Sequence, residues 1–534
     1  MVANGGRHKL MPDRAQSSQT TTPSRPWWET RPFVAALILL STVPLLYPPV
    51  PPLVDLLGHM GRDRVQLDVA TSPWLHDYYD FRWAAIGNLG VDLLVVPLSK
   101  LFGLELAVKL IVLAIPPLTV AGFLWVAREV HGRLPPTVLF ALPFAYSHPF
   151  MFGFVNYALS IALAFLGFGL WLRLARLNRL RLRAILFVPI SLIVFFTHTF
   201  GWGVLGLLCF SADAVREHDG GKPWPRAGLD AALHASVMAL PLLIMLAWRS
   251  EIQGGTTGMW FDFKLKVSWV ISALRDRWKW FDLASLVVAL VVIVEARRWP
   301  TATFSRNLAF SALVLLIGFV AMPWMVFGSA YADMRLLPYV IAVALLAIRF
   351  REAVPMRTAQ AIAIVGLAFF LIRLVGTTWS LAIAAEDQRA KLEALDQVPI
   401  GARVASLVGT GCGNAWSLPR NTHLGSMVVV RRHGFSNDQW VSSGVNLLQL
   451  RYREAGVFAS DPSQLVHNRE CPPVWSIDTA LRQLPRDRFD YLWLIDTQSF
   501  DPRLTRDMEL VWRGPDSALY RLGGSPSGRS STHP

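Results

Sequence analysis

The run VPPLVDLLGHMGRDR, residues 50–64, sets a carboxylate and an imidazole, Asp55 and His59, four positions apart. On a helix that spacing brings both side chains to one face. A carboxylate within hydrogen-bond reach of a hydroxyl can serve as general base, and a neighbouring imidazole can orient it or donate to a phosphate. The plainer alternative is a solvated loop aspartate. Two residues at i and i+4 without a third ligand leave a divalent metal open but define no site.

Other polar groups sit in apolar surroundings: Tyr78 and Tyr79, Asn88 and Asp92, His148 and Asn156 in SHPFMFGFVNY, and His198 in FFTHTFGW. Ionisable groups in apolar segments face a cavity, a partner or a substrate path. Taken singly, each also reads as a hydrogen bond between helices, and Asp92 as a partner of Lys109 or Arg82. The cations fall in two places. SAYADMRLLPY carries Asp333 and Arg335 at the mouth of an apolar run, where an arginine fork suits a phosphate and a local Asp333–Arg335 pair is the competing reading. The segment from Arg249 to Lys279 interleaves Lys264, Lys266, Arg275, Arg277 and Lys279 with Trp260, Phe261, Trp269 and Trp278, a composition suited to lipid headgroups or to a lipid phosphate.

These residues must be positioned by membrane elements. Of 534 residues, 53% are hydrophobic and 16% charged, and several apolar runs approach the roughly 20 residues that cross a bilayer. The net charge of +14 concentrates in the N-terminal tail and between apolar runs, which argues for orientation in a membrane and against nucleic-acid binding. The cluster Arg173, Arg176, Arg179, Arg181 and Arg183 belongs inside. That placement is met if residues 85–102 lie in the outer interface and crossings follow at about 33–47, 105–127, 137–153, 155–172, 184–197, 200–216, 230–248, 281–296, 308–327, 334–350 and 358–377. The expectation is about 11 transmembrane helices, with 184–197 and 200–216 short enough to form a re-entrant pair. The basic segment before Lys279 then breaks the positive-inside rule, as an external anion-binding loop would.

The domains read as a disordered basic cytoplasmic tail, 1–32; a transmembrane body, 33–380, with a first external loop at 50–84; an extracytoplasmic α/β domain, 381–524; and a disordered tail, 525–534. In the α/β domain EDQRAKLEALDQV is helix-like, ARVASLV and FDYLWLID are strand-like, and MELVWRGPDSALYRL reads as a hairpin. Three cysteines exclude a disulfide scaffold. Cys412 and Cys471 share the external domain, where they can pair, and Cys209 reads as a packing residue.

The order of parts resembles the GT-C superfamily, integral membrane glycosyltransferases that use polyprenyl-phosphate sugar donors. The likeness rests on a first span leading to an external loop with an early aspartate, Asp55 in LVDLLGH, then an amphipathic helix, a many-span bundle and an external α/β domain, over roughly residues 33–523. It implies an α-helical polytopic fold in a bacterial-type plasma membrane with the N-terminus inside. It also implies inverting sugar transfer to a glycan, lipid or protein hydroxyl, with Asp55 as base. The chain departs from the paired-acid motif of some members, having His59 after Asp55. Tyr78, Tyr79, Asn88, His148, Asn156, His198, Lys264, Lys266 and Arg335 are the expected substrate contacts. A transporter or flippase of a lipid-linked saccharide, or a non-catalytic relative, is the alternative; transporters show paired halves and midplane polar sites, and neither is visible here.

Overall fold

A computed structural model describes residues 25–248, 256–351, 354–412, 415–441, 447–469, 471, 474–497 and 499–523. Most of the expected N-terminal tail, the 525–534 tail and the start of the Arg249–Lys279 loop lie outside the described residues. Four described helices are long and apolar enough to cross a membrane: Leu104–His131, Val155–Arg176, Leu180–Thr197 and Met356–Gln397. A fifth crossing results if Trp224–Met238 and Leu240–Ala247, bent by 60°, count as one. Among the described residues helix length and composition alone thus single out four or five crossings, beside the shorter apolar helices Arg31–Leu40, Arg306–Ala321 and Leu337–Leu346, and do not establish the count of 11.

The differences have local causes. The first apolar run is broken: Arg31–Leu40 stops where Ser41 and Thr42 turn their hydroxyls onto the carbonyls of Ile38 and Leu39, and Pro44 opens the short Val43–Leu46 helix. Residues 137–153, expected as a crossing, form instead the 3₁₀ helix Pro136–Tyr146 and the short helix His148–Phe152. Pro136 and Pro143 withhold two N–H donors, and all eleven residues of the 3₁₀ segment are buried, so it is a core strut of about 22 Å and not a lipid-facing span. The expected re-entrant pair is two full helices, Leu180–Thr197 and Thr199–Asp219, meeting at an extended His198. The first of these reaches back through the arginine turn because Arg183 is buried against Asp213 at 2.9 Å. The interfacial segment is the helix Gly90–Phe102, with Val91, Asp92 and Val95 buried and Leu93, Leu94, Leu101 and Phe102 exposed.

The Met356–Leu392 helix, about 55 Å long at 1.5 Å per residue, outruns a bilayer and delivers the chain into a seven-stranded mixed sheet. Arg403–Gly409 is central, parallel to Tyr491–Ile495 on one side and to Leu465–His467 on the other. Trp475–Ser476 extends one edge in parallel, and the antiparallel hairpin Glu509–Gly514 and Ser517–Arg521 closes the other. Cys412 and Cys471 are disulfide-bonded, and Cys209 is buried and free.

The segment 50–84, expected as a first external loop, folds into this domain. Tyr79–Phe81 pairs antiparallel with Leu448–Leu450, and the helix Leu56–Asp68 packs on Ser426–Arg432. Gly61 permits that approach, since a Cβ there would stand 3.2 Å from Ser426 Cβ and 2.3 Å from the Gln439 amide. Val65, Leu75, Tyr78 and Tyr79 share one hydrophobic core with Leu407, Phe435 and Leu494 of the sheet.

Candidate active site

Asp55 is the residue that opens the Leu56–Asp68 helix, and the His59 N–H donates to its carbonyl at 3.0 Å, so the two side chains share a face. The Asp55 N–H donates to the Phe152 carbonyl at 2.9 Å. This contact needs Gly153, in the left-handed region at φ 102°, because a Cβ there would stand 2.7 Å from the Asp55 nitrogen. The bundle thus fixes the Asp55 backbone while the external domain covers its side chain, which is 17% exposed. Burial pushes the Asp55 carboxyl up to about 7; His423 and Arg335 pull it down and Asp461 pushes it further up. A carboxyl poised there is about half ionised at neutral pH, and its ionised form is a competent proton acceptor. Burial, with the Arg62, His423 and Arg335 charges, holds the His59 imidazole well below its usual range, so it stands neutral, its ring edge-on to Trp440.

Arg335 lies in the turn before the Leu337–Leu346 helix, 6% exposed. Its Nη1 donates to Ser329 Oγ at 2.9 Å and its Nη2 to the Ala330 carbonyl at 3.2 Å, while Nε has no partner. The guanidinium stacks among Phe154, Phe200 and Tyr157, with centroid distances of 4.4, 5.3 and 5.8 Å. The competing Asp333–Arg335 pair does not form, because Asp333 binds Lys266 at 3.2 Å and the Trp269 indole at 3.1 Å. The buried cations Arg62, Arg183, Lys266, Arg373, Lys391 and Arg420 each have a carboxylate within 4.0 Å; among the described residues Arg335 is the buried cation without one.

The other expected contacts divide. Lys266 is buried and gives its three N–H groups to the Phe319 and Met322 carbonyls and to Asp333, so it is a structural cation with nothing left for a substrate phosphate. Lys264, on the same helix Phe263–Ile271, is exposed. The Tyr78 and Tyr79 hydroxyls donate to the carbonyls of Gly401 and Ser436, which makes them core residues of the external domain. Asn156 accepts from the Val91 N–H at 2.5 Å and donates to Asp92 and to the Asn88 carbonyl. Asp92 takes neither Lys109 nor Arg82 but Arg62, at 2.9 Å. His198 accepts the Phe200 N–H at its Nδ1 and lies edge-on to Tyr157, beside the Arg335 aromatic box. His148 is buried with both ring nitrogens unpartnered, against Phe152 and Trp269, whose rings also flank Tyr331. Tyr331 in turn feels the Asp55 charge.

Sequence reasoning missed the residues that the external domain contributes, His423 above all, whose Nε2 stands 3.9 Å from Asp55 Oδ1. They come on a segment that starts at Ala415. Trp416 donates to Asp282 at 2.8 Å, the Leu418 N–H to the Asp276 carbonyl at 3.0 Å, and Arg420 to Asp276 and to the Pro52 carbonyl. The signal available was the dense polar text PRNTHLGS and FSNDQW between apolar strands. Among the described residues no metal-ligand set gathers at Asp55. Among the described residues the only three such ligands within 4.8 Å of one another are Cys412, His467 and Cys471, whose two sulfurs are bonded together.

No protein-family model matches the sequence, and no curated protein matches it. Among solved structures the chain is similar to ArnT from Cupriavidus metallidurans bound to undecaprenyl phosphate, at 12% identity and a TM-score of 0.45, over 92% of this chain and 98% of that one. It is similar also to the apo state of the same protein, at 12% identity and a TM-score of 0.46, over 91% and 96%.

Proposed function

We propose that the chain is a membrane glycosyltransferase of the GT-C type, which moves a sugar from a polyprenyl-phosphate donor to the hydroxyl of an extracytoplasmic glycan, lipid or protein acceptor. The observation that carries this reading is a poised, covered carboxylate, Asp55, together with a buried guanidinium, Arg335, that has no carboxylate within 4.0 Å among the described residues. Asp55 accepts the proton of the acceptor hydroxyl as its oxygen attacks the anomeric carbon. The bond from that carbon to the phosphate oxygen breaks on the opposite face, and configuration inverts. Negative charge grows on the departing lipid phosphate, and Arg335, whose Nε has no protein partner, stabilises it where aromatic walls exclude water. His59, held well below its usual range, stays neutral and adds no charge beside Asp55. The membrane body sits in a plasma membrane with the external domain on the far side from the arginine turns.

The test is complementation of a deletion strain with wild type or with Asp55→Asn at equal membrane levels, reading envelope glycans by mass spectrometry. A sugar that wild type restores and Asp55→Asn does not supports transfer and names the product. Full restoration by Asp55→Asn removes the base and moves transport of a lipid-linked saccharide ahead.

A further inference from the structure

The end of the bundle that carries the arginine turns holds a cavity of about 540 Å³, a size that accepts a headgroup and the start of an alkyl chain. Three helices build it. On Leu104–His131, Ala121, Leu124, Trp125 and Arg128 fall at i, i+3, i+4 and i+7, which is one face. On Arg31–Leu40, Arg31, Val34 and Ile38 share a face in the same way. The two helices pack on each other, and Val155–Arg176, packed on Leu104–His131 as well, adds Arg173 and Arg176 from its last turn. Each helix thus brings its arginines at one end, and the first two bring apolar side chains over the next 10 Å or so. Guanidinium groups ring the mouth and aliphatic groups line the floor. Asp55 lies beyond the far end of the Arg31–Leu40 helix.

The charge at the mouth is unbalanced. Four arginines meet one carboxylate, Glu129, and its oxygens are already engaged by the Trp125 indole at 3.2 Å, by Arg176 at 2.9 Å and by Arg173 at 4.0 Å. Arg31 and Arg128 have no carboxylate within 4.0 Å among the described residues. A free anion would leave the aliphatic floor wet, and a bare alkyl chain would leave the cations unmatched. A phosphodiester that carries acyl chains answers both, since guanidinium forks match phosphate oxygens and basic pockets between membrane helices suit anionic headgroups. We propose that this cavity binds an anionic phospholipid from the leaflet on the arginine side. Arg31 and Arg128 hold its phosphate, and an acyl chain lies on Val34, Ile38, Ala121 and Leu124. The lipid bridges the short Arg31–Leu40 helix to the two long ones.

The test titrates the full chain in detergent with phosphatidylglycerol or phosphatidylcholine of equal chain length, read by native mass spectrometry. Wild type is expected to retain the first and not the second. Arg31→Gln with Arg128→Gln strands no carboxylate and should weaken retention about fivefold per arginine, on the order of 25-fold for the pair. Ala121→Phe keeps every charge, fills the floor and should also weaken it. Arg179→Gln with Arg181→Gln removes the same charge from the same end but outside the cavity, and should leave retention unchanged. Equal retention of the two lipids, equal losses in the two double variants, or unchanged retention in either Arg31→Gln with Arg128→Gln or Ala121→Phe overturns the proposal. Displacement of the lipid by an equal concentration of inorganic phosphate does so too, since it marks a site for a free anion. If the Arg31 and Arg128 variant does not fold, Ala121→Phe decides: weaker retention supports the proposal and unchanged retention overturns it. No sugar donor is present, so either result stands apart from the fate of the transferase reading.

Discussion

Arg335 and Arg420 both bury a guanidinium near the Asp55 loop, but their surroundings differ in kind. Arg420 is neutralised by Asp276 and ties that carboxylate to the Pro52 carbonyl; nearby Arg373 is likewise held by Asp282 at 2.7 Å. Arg335 has a serine hydroxyl, one carbonyl and aromatic faces, and no carboxylate. Burying an uncompensated cation is costly, so a fold keeps one only where the charge has another use. Arg420 holds the sheet domain to the bundle, and Arg335 is left with the charge that the proposed phosphate contact calls for.

That contrast can be broken by experiment. Asp55→Asn should cost the largest factor, about 10²–10⁴ in transfer, as removal of a general base does, read as labelled product from membranes. Arg335→Met should lower transfer by about 10²–10³ while the detergent-solubilised protein melts no lower than wild type. Arg420→Met strands Asp276, so its main effect should be on stability, a loss of about 3–5 kcal/mol seen as a lower melting temperature. If Arg335→Met melts as low as Arg420→Met, the distinction between the two sites fails.

Asp55 also carries a stability signature. Its carboxyl sits at about 7 in the folded chain against about 4 unfolded. The folded state therefore keeps the proton longer. Its contribution is full below pH 4 and is lost as pH rises through 7, by an amount on the order of 2–4 kcal/mol before solvent exposure is discounted. Asp55→Asn should therefore melt higher than wild type at pH 8 and match it at pH 4; equal melting at both values would show that the carboxyl is not strained by burial. The smallest effect should come from the disulfide. Replacing Cys412 and Cys471 with serine opens a link spanning 59 residues, worth about 2–4 kcal/mol within the external domain, and limited proteolysis should show it there before the bundle loosens.

Local pattern made the external sheet legible: ARVASLV, YLWLI and the terminal hairpin are strands because their alternation and turn residues say so without reference to anything distant. The Asp55–His59 face was legible for the same reason. The apolar text around Pro136 was not, since a buried 3₁₀ strut and a membrane span share a composition and differ only in where proline withholds a donor. Lys266 and Asp333, 67 residues apart, carry no mark of pairing, so Lys266 looked available. His423 joins Asp55 across 368 residues, a contact made by packing of two separately patterned regions.

The strap from Ala415 to His423 has a temporal consequence. A chain emerging from the ribosome carries its aspartate long before the histidine exists, and the imidazole reaches it only once the domain that bears His423 has folded and docked. During biogenesis the aspartate therefore spends its early life without its counterpart, and a polypeptide cut short before His423 never makes the contact.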